Sequence, residues 1–257
     1  MITLAITNQK GGVGKTTSCI NLASELGNMG YKVLVVDIDP QGNCTSGMGV
    51  DTTDRDLTLY DLLLDDVNPE EVVAETSWEG VSILPANIDL AGAEVELASA
   101  LSRETRLDRG LTKLKPSFDI AIIDCPPSLG ILTINALVAA KKLVIPIQCE
   151  YYALEGVGQL TRTIGLLQQY LNPDLNVDGV LLTMFDSRTR LSSEVQDEVR
   201  NQFGELVFRT VIPRNVKLAE APSYSMPINY YEPHCPGAQA YSQLAKEVAS
   251  RWLNIAP

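Results

Sequence analysis

Gln9-Lys10-Gly11-Gly12-Val13-Gly14-Lys15-Thr16-Thr17 stands between two readable elements. Before it, Ile2–Thr7 (ITLAIT) is a short apolar run rich in β-branched residues, which predicts a buried strand. After it, Ile20, Leu22, Ala23 and Leu26 recur at helical spacing within Lys15–Met29, and Gly27 or Gly30 can end that helix. Strand, glycine loop, Lys-Thr and helix, in that order, is the context of a phosphate-binding loop. Glycines let backbone N–H groups turn inward around phosphate oxygens. The helix N-terminus adds positive partial charge. Lys15 stands where such a lysine bridges β- and γ-phosphates, and the Thr16 hydroxyl is placed for Mg²⁺.

Working outward, apolar runs alternate with helical patterns. Strands are expected at Lys32–Asp37, Val81–Leu84, Asp119–Asp124, Leu143–Ile147 and Val177–Met184, with a final one at Leu206–Ile212. Helical patterns cover Leu90–Leu114 (one long helix or two shorter ones), Ile131–Ala140, Ala153–Tyr170, Ser192–Phe203 and Ala238–Leu253. The strands are near-continuous apolar runs, as in a parallel sheet covered on both faces. The expectation is a doubly wound α/β fold, a mainly parallel sheet flanked by helices, forming one domain over residues 1–257.

In such sheets ligands bind beyond the carboxyl ends of the strands. Two strands end there in acids: Val35-Val36-Asp37-Ile38-Asp39 and Ile122-Ile123-Asp124. An apolar strand ending in Asp is the form that holds Mg²⁺, so Asp124 is assigned to the metal. Asp37 is either a supporting partner or a cap. Asp39, two residues on, is the candidate to orient an attacking water. The lone histidine, His234, lies far downstream and offers no evident base.

The loop departs from G-x-x-x-x-G-K-[ST], because Gln9 stands where the first glycine is expected and Lys10 adds a second lysine. In this respect the sequence resembles the deviant Walker A ATPases, whose signature lysine reaches across a dimer to the partner's nucleotide. That resemblance implies the same role for Lys10. With NQKGGVGKTT, VVDIDPQGN, IIDCPPSLG, PIQCEYYALEG, TMFDSRT and VIPRNVKLAEAPS, it extends over nearly the whole chain and points to the chromosomal ParA/Soj branch. The resemblance implies a weak ATPase that dimerises on ATP. The dimer binds double-stranded DNA without sequence preference, and a ParB/Spo0J-type centromere-binding partner stimulates hydrolysis and release.

Carried over motif by motif, Gly11, Gly12, Val13, Gly14, Lys15, Thr16 and Thr17 contact phosphates, and Pro213 and Asn215 contact the adenine. Arg188, then Lys217, with Arg190 and Arg214 after them, are candidates for DNA. The chain starts almost at its first strand, so the separate DNA-reading domain of larger plasmid members is not expected. A second basic row, Arg103, Arg106, Arg109 and Lys113, has helical spacing, but Glu104 and Asp108 interleave it and a solvated face is expected.

Composition bounds these readings. The 257 residues are 45% hydrophobic with a net charge of −12. Residues 41–100 hold 13 acids against the single base Arg55, and the rest of the chain is neutral. The total therefore argues against a permanently cationic DNA coat but not against a local basic patch. No apolar run is long enough to span a membrane, and the N-terminus lacks the pattern of a signal peptide. Five cysteines without CxxC spacing read as reduced thiols. A cytoplasmic, nucleoid-associated protein is expected, with no membrane partner. The alternative is a MinD-like membrane-site ATPase, which shares this core but ends in a basic amphipathic helix. Here the tail Lys246–Pro257 has only Lys246 and Arg251 as bases. An iron–sulfur ATPase would need suitably spaced cysteine partners, and Cys125 has none.

Overall fold

The computed structural model describes residues 1–53, 55–65, 67–151 and 157–253. In chain order the elements are β1 (Ile2–Ile6), α1 (Lys15–Asn28), β2 (Val33–Asp37), α2 (Asn43–Gly47), α3 (Leu59–Leu64) and α4 (Pro69–Val72). There follow β3 (Ala74–Glu75), β4 (Val81–Leu84), α5 (Leu90–Glu96), α6 (Arg106–Leu114), β5 (Ile120–Asp124), α7 (Ile131–Ala139) and β6 (Lys142–Gln148). The last are α8 (Val157–Tyr170), β7 (Asn176–Thr183), α9 (Arg190–Phe203), α10 (Val216–Glu220), α11 (Ile228–Tyr231) and α12 (Pro236–Trp252).

Among the described residues the strands form one sheet of seven in the order β3-β4-β2-β5-β1-β6-β7. All pairings are parallel except β3 with β4, a two-residue edge that the sequence does not announce. Alternate strand residues face opposite sides. Leu4, Ile6, Val33 and Val35 pack under α1 and α12, while Ala5, Leu34, Val36 and Ile123 pack with α3, α6, α7 and α8. Both faces are therefore covered, as the unbroken apolar strands require.

Of the two readings of Leu90–Leu114, the structure takes the shorter pair, because Ala100 is extended and Ser102 takes a left-handed φ of 52° between α5 and α6. One expectation changes. Leu206–Ile212 is not a strand. It meets β7 at one isolated bridge, Val180 with Val207, and through the Phe208 and Ile212 amides, which donate at 2.9 Å to the Val180 and Leu182 carbonyls; just past both segments, Phe185 bridges Pro213. Between Phe208 and Ile212, the amides of Arg209 and Thr210 donate at 2.9 and 3.1 Å to the Glu247 carboxylate on α12. Those two N–H groups are drawn off the sheet, so no continuous ladder forms. The helix expected from Ala153 is described from Val157 onward; residues 153–156 lie outside the described residues, as do 254–257 of the tail.

Candidate nucleotide site

The loop between β1 and α1 lies at the carboxyl edge of the sheet, beside the ends of β2 and β5. The register aligns Asp37 with Asp124, and Asp124 with Ile6. Gly12 and Gly14 take φ of 72° and 87°, conformations that a side chain would strain. A Cβ at Gly11 or Gly12 would meet no atom within 4 Å, so both face open space. Gly14 caps α1 without a side-chain bond and no acid stands in the first turn, so the helix N–H groups remain free for an anion.

A cavity of about 710 Å³ opens over this loop, bordered by Gly12, Lys15, Thr16, Asp39, Gln41 and Pro127. Gly11, Gly14 and Thr17 also line it. A neighbouring cavity of about 350 Å³ shares Gly14, Thr17 and Met184 with it and is walled by Ile212, Pro213, Asn215 and Tyr241. The polar and the more apolar compartments thus meet at the first turn of α1, the arrangement a nucleotide needs for its phosphates and its base. Val13 differs from its neighbours: its side chain is buried, and its carbonyl accepts the Thr183 hydroxyl at 2.9 Å.

Lys15 is buried, and Nζ donates to the Lys10 carbonyl at 3.1 Å. Burial lowers its pKa, against the pull of Asp124 and Asp39. The Thr16 hydroxyl donates to Asp124 Oδ2 at 2.7 Å, and the Cys19 thiol approaches Oδ1 at 3.5 Å. Asp124 is fully buried; burial, then the nearby Asp37, push its carboxyl up to about 8. Asp37 is pushed up to about 6 by burial, although it accepts the Thr45 amide (2.8 Å), the Thr45 hydroxyl (2.7 Å) and the Asp39 amide (3.2 Å). Asp37 is thus a cap that fixes α2. Asp39 borders the cavity with Oδ1 held by the Gln41 amide at 3.0 Å.

Three carboxyl groups gather beside one buried ammonium, and a divalent cation bound there would favour their ionised form. No cluster of three His, Cys, Asp or Glu side chains with metal-binding geometry occurs among the described residues. Mg²⁺ keeps waters and phosphate oxygens as ligands and needs few from protein. Thr16 and Asp124 present hard oxygens that could hold it, and the open glycine cradle has room for phosphates.

The structure also brings FDSRT and VIPRNVK together, through the bridge of Phe185 to Pro213. Each cation singled out there already has an acidic partner. Arg188 grips Asp186 with two bonds of 2.9 and 2.7 Å, Arg190 pairs with Glu194 at 2.7 Å, Arg214 with Glu150 at 2.7 Å, and Lys217 with Glu220 at 2.8 Å. Arg214 also lines the smaller cavity, which ties it to the nucleotide compartment. Sequence reasoning missed Gln41, Met184 and Pro127 as cavity walls; Gln41 and Pro127 stood inside the quoted DPQGN and DCPPS motifs.

A family model described as an AAA domain matches residues 1–177. The sporulation initiation inhibitor protein Soj of Bacillus subtilis (strain 168) is 55% identical over 247 residues, which is 96% of this chain and 98% of that protein. The chromosome-partitioning ATPase Soj of Treponema pallidum (strain Nichols) is 49% identical, covering 97% of each. Among solved structures, a cobyrinic acid a,c-diamide synthase from Mycobacterium smegmatis with an ATP analogue and magnesium superposes with a TM-score of 0.86. It is 42% identical over 99% of this chain and 96% of its own. With near-complete coverage at this identity, the chain belongs to the Soj/ParA family of chromosome-partitioning ATPases.

Proposed function

We propose that this ATPase, acting as one domain over its whole length, segregates chromosomal DNA by switching between two states. With ATP it forms a homodimer that binds double-stranded DNA without sequence preference. A ParB/Spo0J-type partner then stimulates hydrolysis, and the protein leaves the DNA. The protein is cytoplasmic and spends its ATP state on the nucleoid.

One observation carries the reading: a phosphate cradle and an adjoining base pocket meet at the first turn of α1, with Lys10 beside Lys15. The backbone amides of Gly11 to Thr17 and the Lys15 ammonium hold the β- and γ-phosphates. Pro213 and Asn215 hold the base. Thr16 and Asp124 hold Mg²⁺, which offsets phosphate charge when bound. Asp39 keeps one oxygen on the Gln41 amide and has the other available to orient a water. Lys10 reaches the nucleotide of the partner subunit, so the site is complete only in the dimer.

Arg188, Lys217, Arg190 and Arg214 then contact DNA phosphates as point charges. Two such surfaces in one dimer gain avidity. The membrane alternative has less support. The apolar face of α12 is occupied, with Tyr241, Leu244, Ala245 and Val248 buried against the sheet side that carries α1. No helix among the described residues is long and apolar enough to cross a membrane.

The test is DNA binding with ATP against ADP across a salt series, with ATP-loaded protein and liposomes as a second arm. Tight, sequence-blind, salt-sensitive binding with ATP alone is expected. Equal binding with ADP would overturn the switch, and ATP-dependent pelleting with liposomes would favour the membrane reading.

A further inference from the structure

Helix α5 is apolar on two opposite sides. Leu90 and Ala93 face inward and are buried in the core, as is Leu97 just beyond them. The helical path reaches back before α5, because the Leu90 amide donates to the Asn87 carbonyl at 3.2 Å and the Ala91 amide to the Ile88 carbonyl at 3.0 Å. Ile88, Ala91, Gly92 and Val95, at i, i+3, i+4 and i+7, therefore share the outward side. All four are exposed, Ile88 by 68% and Val95 by 76%. A surface helix ordinarily buries one apolar stripe and turns a polar face to water. Here two branched aliphatic side chains stand outward with small residues between them, a strip that a second helix can approach closely.

Carboxylates border that strip. At about 100° per residue, Asp89 and Glu96 fall on one flank and Glu94 on the other. They belong to residues 41–100, where Arg55 is the single base, and Arg55 is turned onto the Val72 carbonyl at 3.0 Å. Arg103 reaches the end of the segment at the Ala98 carbonyl, but it is paired with Glu104 at 2.9 Å. Beside the strip, Ile88 also walls a recess of about 470 Å³ with Val50, Ala86 and Gln41. Gln41 borders the nucleotide cavity as well, so the strip lies on the side of the molecule that carries the phosphate loop.

We propose that the outward side of α5 is a docking surface for a cationic amphipathic helix of another protein. The apolar side of that helix lies on Ile88 and Val95, across the small residues Ala91 and Gly92, and its lysines or arginines lie beside Asp89, Glu94 and Glu96. A second copy of this chain fits poorly, because a two-fold contact sets each acidic flank against acid. The surface rests on α5 and its charge alone, whichever protein carries the helix.

The test is fluorescence anisotropy of two labelled synthetic peptides on the full chain. Each is about 18 residues long, enough to form helix, with leucine along one side. One carries lysine on its other side and its twin carries glutamate. The lysine peptide is expected to bind one per chain, more weakly as salt rises, and the glutamate peptide is expected not to bind. Ile88→Ser with Val95→Ser removes the apolar strip and leaves every charge. That pair should weaken the lysine peptide about tenfold or more with a nearly unchanged melting temperature. Val95→Ser alone keeps the test valid if the pair disturbs folding. Equal affinity in the serine variants would show charge attraction without the strip and overturn the proposal. Equal binding of the glutamate peptide, or no saturable binding of the lysine peptide, would do the same. Nucleotide-free self-association that the serine pair abolishes would give the surface to a second copy and also overturn it.

Discussion

Thr16 and Asp124 meet at 2.7 Å, hydroxyl to carboxylate, although 108 residues separate them. The contact joins the first turn of α1 to the end of β5 and sets two hard oxygens side by side at the edge of the cavity. Burial and Asp37 hold the Asp124 carboxyl protonated well above the ordinary carboxylate range, up to about 8. In metal-free protein the folded state then keeps a proton that the unfolded chain releases near pH 4. Stability must therefore fall as pH rises between about 4 and about 8. Asp124→Asn should flatten that slope. Its melting temperature should exceed that of the parent by roughly 2–4 °C at pH 8, about 1 kcal/mol for a chain of this size, and match it at pH 4. Magnesium with nucleotide should stabilise the parent more than the variant. Calorimetric melts at the two pH values, with and without magnesium, check this.

The two lysines of the loop should separate by assay. Lys15→Ala should weaken ATP about 100-fold or more, read by fluorescent-nucleotide titration, because the buried ammonium is lost from the phosphate cradle. Lys10→Ala should hold ATP within about threefold, since only the Lys10 carbonyl, which alanine retains, contacts Lys15. It should fail to dimerise with ATP in light scattering.

Asp39→Ala should bind ATP, dimerise and bind DNA, yet turn over about 100-fold more slowly in the presence of DNA and partner. Phosphate release measures this. Normal turnover would remove Asp39 from the role of placing water.

Arg188 is held by Asp186 in a fork while its side chain remains 84% exposed. The hydrogen bonds and charge of Arg188 pull the Asp186 carboxyl down to about 2, so the pair persists throughout the neutral range. A phosphate must compete with that partner. Asp186→Asn should tighten DNA binding, and Arg188→Glu should weaken it for every sequence. Loss of one phosphate contact should lower the slope of log affinity against log salt by about 1 per protomer. Anisotropy with a labelled duplex across a salt series reads both.

The loop was legible because glycine, lysine and threonine are each demanded by one geometry in a fixed order. Strand ends were legible because Asp37 and Asp124 follow unbroken apolar runs. Leu206–Ile212 misled because its composition is that of a strand, while the deciding contact, the Glu247 carboxylate on two of its amides, comes from a helix about 40 residues away. The neutralised state of Arg188, Arg190 and Lys217 was hidden for the opposite reason. Their partners lie within four residues, but only side-chain geometry shows which neighbour is gripped. The basic row of α6 has the spacing of a solvated stripe, and Arg109 and Lys113 are exposed, while Arg106 is partly buried and donates to the Leu64 carbonyl.

The strand order has a last consequence. The acid-rich segment supplies the β3–β4 edge of the sheet, whereas the segment that follows β7 at the opposite edge is mixed in charge, with Arg188, Arg190, Arg200 and Arg209 among Asp186, Glu194, Asp197, Glu198 and Glu205. The molecule is therefore an electric dipole lying roughly along the sheet. In the field of a polyanion a dipole feels a torque before it feels a contact, so if the protein binds DNA as proposed, its acidic edge should turn outward and its β7 edge inward as it approaches. Salt shortens the range of that alignment to about 8 Å at physiological strength. On the proposed function, what the uneven charge would provide is orientation on arrival, with the acidic rim facing away from the duplex.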